Sequence, residues 1–325
     1  MKKILFAGGG TLGPVTPLIA LSRIIRRRIF DSELFWIGTS TGPERMLVEN
    51  EGIHFFSIPI AKVPRFFSFS LFLFPIQFLC AGWRAWKILH KVQPEIIVGA
   101  GGFTQVPVML VAWCMQIPCS VHQLDVEKGL SNKIIGPVCE TMTTSFPSDN
   151  QVATPCRFVD DRIGSENKKT ILILGGGTGA AQINSFVDTV RDDIVSFADI
   201  VHITGKGKMN GRVSGEGYEV HEFLYEQDMY EALKNAAIVI SRAGMGALTE
   251  FAAMSKCVIT IPMPHSHQEK NVQALGDAIE TTYSIEKIKF LFLYPAVCRE
   301  IGEKLYRILP TDTGTALFDK IFKNT

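Results

Sequence analysis

The chain has 325 residues, 46% of them hydrophobic and 20% charged, enough for two α/β domains with sizeable cores. Its 33 basic and 32 acidic side chains nearly cancel, which excludes a global electrostatic pull toward nucleic acid. The seven cysteines (Cys80, Cys114, Cys119, Cys139, Cys156, Cys257, Cys298) are scattered, odd in number and without a C-x-x-C pair, which argues against a disulfide framework or a zinc site and fits a reducing cytosol.

In chain order, the apolar part of residues 1–8 is too short for a signal peptide and reads as an opening strand. Strands are predicted at 4–7, 34–38, 55–60, 96–99, 119–122 and 141–146, with helices at 16–28, 78–92 and 106–115. Residues 160–169 are polar and aperiodic and read as a linker. The pattern then restarts, with strands at 170–174, 200–203, 237–240 and 258–261 and helices at 181–196, 229–235 and 247–254. Strand–helix alternation predicts parallel sheets. The expected class is α/β: two facing Rossmann-like doubly wound domains, 1–160 and 161–325, with ligands at the carboxyl ends of the strands.

Each half opens with a strand and then a glycine loop, Gly8-Gly9-Gly10-Thr11-Leu12-Gly13 in the first and Gly175-Gly176-Gly177-Thr178-Gly179 in the second. Such loops let backbone approach a ligand, and the helix that follows aims unpaired N–H groups at an anion. Gly8-x-Gly10-x-x-Gly13 also matches the dinucleotide fingerprint of NAD-dependent oxidoreductases. That reading needs a carboxylate where the second strand ends, and Trp36-Ile37-Gly38-Thr39-Ser40 has none. The more informative stretch is Ser241-Arg242-Ala243-Gly244-Met245-Gly246-Ala247-Leu248-Thr249-Glu250. Its strand–turn–helix can hold a phosphate at the helix N-terminus, and Glu250 can accept from a ribose diol. The polar loop 262–271 follows the next strand.

With these motifs in order, the chain resembles the MurG glycosyltransferases, which add N-acetylglucosamine to lipid I, the undecaprenyl-linked muramyl-peptide precursor of peptidoglycan. The resemblance runs through Gly9 to Pro17, Gly101-Gly102-Phe103, His122 to Asp125, Gly129 to Lys133 and Thr154 to Arg157. It continues through Gly175 to Ala180, Thr204 to Gly207, Ser241 to Glu250, and His267 to Asn271.

The resemblance implies a glycosyltransferase B fold whose last helix, near 315–322, crosses back to the first domain. It also implies an inverting transfer from UDP-N-acetylglucosamine without cofactor or metal, consistent with the lack of a D-x-D motif. Arg157 and the backbone around Leu224 would hold uracil, Glu250 the ribose, and Gly177 with Met245, Gly246 and Ala247 the diphosphate. Gln268 would hold the donor sugar, while Thr11, Leu12, Gly13, Leu248, Thr249 and Asp125 complete the donor side. The chain departs from the family at Pro14, Phe103, Gln123, Asp125 and Gly177, mainly around the acceptor and the sugar–phosphate, which leaves the base open. Asp125 is the candidate, equally readable as a positioning or capping residue; His122 reads more readily as a core histidine. Another UDP-sugar or lipid acceptor, or a non-catalytic UDP-sugar-binding protein, stays open as an alternative.

Residues 66–80 form a 15-residue apolar run, short of the ~20 that a span needs. Six phenylalanines between 66 and 78, among them Phe66, Phe69, Phe72 and Phe74, are framed by basic residues and by Pro64 and Pro75, which are expected to break a helix. The expectation is an interfacial segment, peripheral on the cytoplasmic membrane face, with a buried core helix as the other reading.

Overall fold

The computed structural model describes residues 1–59, 69–158, 168–176 and 179–322, with the backbone alone for 69–74. The chain forms two compact units, Met1–Arg157 with the stretch from Thr313, and Phe158–Asp312.

Unit 1 holds strands β1 (Lys2–Ala7), β2 (Ser32–Thr39), β3 (His54–Ile58), β4 (Ile96–Gly99), β5 (Cys119–Gln123) and β6 (Thr141–Thr144). They pair in parallel in the order β3-β2-β1-β4-β5-β6. Ile4, Leu5, Phe6 and Ala7 are all fully buried, the continuous apolar run required of a parallel strand covered on both faces. The helices are α1 (Val15–Arg28), α2 (Glu44–Asn50), α3 (Phe69–Val92), α4 (Gln105–Cys114) and α5 (Leu130–Ile135), and a short strand β7 (Thr154–Pro155) follows.

Unit 2 repeats the plan with β8 (Thr170–Leu174), β9 (Asp199–Ile203), β10 (Tyr218–His221), β11 (Ala236–Ser241) and β12 (Cys257–Thr260). The order is β10-β9-β8-β11-β12, again parallel. Its core is rich in β-branched side chains, Ile171, Ile173, Ile200, Ile238, Ile240 and Ile259. Around them lie α6 (Ala181–Val195), α7 (Glu226–Asn235), α8 (Met245–Ala253), α9 (His267–Leu275), α10 (Ile285–Leu293) and α11 (Pro295–Ile308). After β13 (Thr311–Asp312), α12 (Thr315–Phe322) packs on α1 within unit 1. Strand order reverses between β1 and β4 in one sheet and between β8 and β11 in the other, the points where such sheets bind ligands.

Helices α2, α5, α10 and α11 and strands β7 and β13 are not predicted from the sequence, and the stretch 262–271, read as a polar loop, turns into α9 at His267, where Ser266 caps the helix. Two further elements differ from the sequence expectation. Strand β10 was not predicted; it has four residues, with only Tyr218 and Val220 buried. Helix α3 begins at Phe69 and runs through Pro75 instead of starting at 78. A proline removes one backbone hydrogen bond and crowds the preceding turn, a local defect that packing of the long helix on α4 outweighs. Among the described residues no helix is long and apolar enough to cross a membrane.

Candidate active site

In unit 1 the loops after β1 and β4 flank the switch point. Trp36 Nε1 donates to Gly8 O at 2.8 Å, and Gly8 N donates to Ile37 O at 3.2 Å, which fixes where the first loop leaves its strand. A Cβ on Gly102 would stand 3.1 Å from Gly9 O, so the two loops meet backbone to backbone. Thr11 is exposed and Leu12 and Gly13 are partly so. Leu12 O receives Val15 N and Thr16 N at 3.0 and 3.2 Å, which starts α1, and the N-cap Pro14 makes no side-chain cap bond. Leu12 O thus takes the first two N–H groups of α1, and Pro17 has none, so the N-terminus of this helix is closed by its own loop.

A chain of buried amides leads from the second loop to Asp125. Gly101 N donates to Gln105 Oε1 at 3.0 Å, Gln105 Nε2 to Asn132 Oδ1, and Asn132 Nδ2 to Gln123 Oε1. Gln123 Nε2 in turn donates to Asp125 O at 2.7 Å and Glu127 O at 2.9 Å. Gln123 therefore does what a glutamate at this position could not, because a carboxylate cannot donate to the two carbonyls that shape the loop. Asp125 emerges partly exposed just beyond β5. His122 lies in the core, its ring 2.9 Å from Thr143 Oγ1 and 3.2 Å from both Thr154 Oγ1 and Ser145 Oγ. Burial lowers its pKa to about 3, so it is neutral and enclosed.

The end of β2 does have a carboxylate, which its own residues do not reveal. Glu44, from α2, accepts from Thr39 N at 2.7 Å and Thr39 Oγ1 at 2.5 Å. It is fully buried and turned into the protein, so it is not presented to a ribose. The dinucleotide reading fails on that orientation rather than on the absence of an acid.

In unit 2, Gly177 and Thr178 lie outside the described residues. Gly179 has φ +68°, and a Cβ there would collide with Thr204 O, so only glycine fits where the second loop meets residues 204–205. Lys208 Nζ donates to Gly179 O at 3.2 Å, and Asn184 Nδ2 to Thr204 O at 3.1 Å.

Beyond β11, Gly244 is the extended N-cap of α8 and offers no side-chain acceptor, whereas Ser266 and Ser284 cap α9 and α10. Met245, Gly246 and Ala247 form the first turn; Ala247 N donates to Gly244 O at 3.1 Å, and no side chain of the N-cap reaches the N–H groups of Met245 and Gly246. Leu248 and Thr249 are buried, the Thr249 hydroxyl donates to Met245 O at 2.8 Å, and Leu248 N donates to Gly244 O at 3.0 Å, so neither side chain is presented outward. Glu250, one turn in, is 8% exposed. Gln268 Oε1 accepts from Met263 N at 2.9 Å, and its Nε2 lies 4.0 Å from where a Cβ on Gly244 would stand. Gln268 thus sits beside the α8 N-terminus with its amide nitrogen toward it. Arg242 Nη1 donates to Ile261 O, Pro262 O and Gln182 Oε1, each at 2.9 Å, tying the turn after β11 to the loop after β12 and to the first turn of α6. Sequence reading did not single out Arg242, although it stands inside the motif read there.

Thr11, Leu12, Gly13 and Asp125 thus share the carboxyl edge of the unit 1 sheet. Leu224, the 245–250 turn and Gln268 share that of unit 2; Leu224 is half-buried after β10, and Arg157, partly exposed, closes unit 1's main stretch. Phe66 lies outside the described residues, as do the side chains of Phe69, Phe72 and Phe74 on α3. The exposed apolar side chains described there are Ile76, Leu79, Trp83 and Trp86 on α3 and Trp113 on α4.

The Glycosyltransferase family 28 N-terminal domain matches residues 4–144, and the Glycosyltransferase family 28 C-terminal domain matches residues 170–288. A relative in Clostridium botulinum (strain 657 / Type Ba4) is 33% identical over 313 residues, covering 88% of this chain and 84% of its own. It is named UDP-N-acetylglucosamine--N-acetylmuramyl-(pentapeptide) pyrophosphoryl-undecaprenol N-acetylglucosamine transferase. A protein of the same name in Clostridium perfringens (strain SM101 / Type A) is 33% identical over 305 residues, covering 88% of this chain and 83% of its own. Among solved structures, Acinetobacter baumannii MurG aligns over 100% of both chains with a TM-score of 0.70 at 21% identity, a likeness of fold.

Proposed function

The chain belongs to the MurG family within glycosyltransferase family 28, and from that membership we propose a division of labour between its two units. The enzyme transfers N-acetylglucosamine from UDP-N-acetylglucosamine to lipid I, giving lipid II for peptidoglycan synthesis. Unit 2 binds the donor. The first turn of α8, Met245 to Ala247, takes the diphosphate with Gly177, and Glu250 accepts from the ribose hydroxyls. Leu224 and Arg157 hold uracil, and Gln268 offers Nε2 to the sugar. In unit 1 the first glycine loop, with Thr11, Leu12 and Gly13, is the element that takes sugar–phosphate.

The chemistry is a direct displacement. The acceptor hydroxyl oxygen attacks the anomeric carbon, the new glycosidic bond forms as the bond to UDP breaks, and the configuration inverts. Asp125 takes the hydroxyl proton. Negative charge gathers on the departing diphosphate, where a helix N-terminus stabilises it most. The observation that carries this reading is the uncapped α8 N-terminus with Gln268 braced beside it.

The enzyme works as a peripheral protein on the cytoplasmic membrane face. Ile76, Leu79, Trp83 and Trp86 recur at helical spacing on α3 and are 60%, 71%, 58% and 46% exposed; Trp113 on the neighbouring α4 is 59% exposed. Lys87 Nζ lies 3.6 Å from the Trp83 ring centroid. Indoles and basic stems on one face suit the headgroup boundary.

UDP release from UDP-N-acetylglucosamine tests the catalytic reading. Release that depends on added lipid I and collapses in Asp125→Asn is the expected result. Undiminished release in that variant would remove Asp125 from the base's role.

A further inference from the structure

Glu44 opens α2 and is 0% exposed. Besides its two bonds to Thr39, its Oε2 accepts from Gly10 N at 3.1 Å. Among the described residues these three donors are its hydrogen-bond partners, and no cation pairs with it. The backbone is shaped around the carboxylate. A Cβ on Gly9 or Gly42 would collide with it, and one on Gly38 would stand 3.0 Å from Oε1. Removing a carboxylate from water is costly unless donors replace the water. Here the donors come from the end of β2 and from the middle of the first glycine loop.

The loop is therefore held at two points. Trp36 holds Gly8, and Glu44 holds Gly10, a residue at φ +83° immediately before Thr11, Leu12 and Gly13. Thr39 alone could anchor the carboxylate to its own strand end. The bond to Gly10 adds a link from α2 to the part of the loop that turns outward.

We propose that Glu44 is a positioning residue for glycosyl transfer: by fixing the Gly10 amide it sets the path of Thr11–Gly13 against the sugar-diphosphate. This rests on the reading of the first glycine loop as part of the active site. Glu44 touches no reacting atom and acts through the loop.

The test is steady-state kinetics of the full chain with UDP-N-acetylglucosamine and lipid I, alongside UDP affinity and melting temperature, for Glu44→Gln, Thr39→Val and Gly13→Val. In Glu44→Gln an amide NH2 replaces one acceptor oxygen, so a backbone N–H loses its partner. Its kcat/KM is expected to fall roughly 10- to 100-fold, the scale of an ångström-level misplacement, with UDP affinity unchanged. Thr39→Val removes a bond to the same carboxylate without touching Gly10, and is expected to lower the melting temperature while sparing kcat. Wild-type turnover in Glu44→Gln, or loss of turnover that tracks loss of stability in both variants, overturns the proposal. If Glu44→Gln does not fold, Glu44→Asp keeps the charge but withdraws it from Gly10, and wild-type turnover there overturns the proposal equally. Gly13→Val separates the two levels, because a Cβ at Gly13 meets no protein atom within 4 Å. Turnover lost in Gly13→Val but kept in Glu44→Gln leaves the loop in the active site and removes Glu44's role. Turnover kept in Gly13→Val removes the loop itself.

Discussion

Arg28 Nη1 lies 2.7 Å from Asp319 Oδ1, and the same guanidinium sits 5.0 Å from the Phe318 ring centroid, tying the first helix of the chain to its last. The ion pair is 42% and 34% exposed, so it contributes below about 1 kcal/mol. Leu317, 1% exposed, carries the packing. Leu317→Ala should lower the unfolding free energy by about 2–5 kcal/mol in urea titrations, and Asp319→Ala by less than about 1 kcal/mol. Equal losses would assign the helix's attachment to charge instead of packing.

Two enclosed histidines give the protein a specific acid sensitivity. Burial lowers the His122 pKa to about 3; burial, then the nearby Arg212 charge, lowers that of His202 to about 4. Unfolded histidine titrates near ~6.5, so between these values the unfolded chain binds protons that the native state refuses. This stability is complete above about pH 6.5 and is lost as pH falls through the window, by about 2 kcal/mol per histidine at pH 5. His202→Gln should flatten the fall between pH 7.5 and 5.0 by about that amount. An unchanged slope would show that His202 is not enclosed as a neutral ring.

The first glycine loop and the 241–250 turn were legible in the sequence because each is local: a buried strand, small residues, then a helix, all within a dozen positions. The alternating domains were legible for the same reason. Contacts that depend on residues far apart were not. Glu44 lies beyond the strand end that Trp36 to Ser40 marks, and nothing local shows that it folds back onto Gly10. The amide chain Gln105–Asn132–Gln123 joins three segments that only the sheet brings together. Strand β10 was too short for its alternation to register, and Pro75 misled because its local penalty was weighed without the packing of α3 on α4.

The exposed indoles set a membrane prediction. Burying a large apolar side chain contributes about 1.5–3 kcal/mol, so Trp83→Ser with Trp86→Ser should weaken binding to anionic liposomes by at least about tenfold. Sedimentation with vesicles at fixed ionic strength measures it. Unchanged binding would mean that this face of α3 does not meet the lipid.

The central claim, that unit 2 is a UDP-sugar site built around the α8 turn, is tested most directly by thermal shift with UDP, UDP-N-acetylglucosamine and NAD on the wild type and Glu250→Ala. A ligand at about 100 times its Kd stabilises the native state by about 2.7 kcal/mol. Both uridine ligands are expected to raise the wild-type Tm, NAD to leave it unchanged, and Glu250→Ala to fold but lose most of the uridine response. No response of the wild type to either uridine ligand, or a response to NAD alone, would contradict the account.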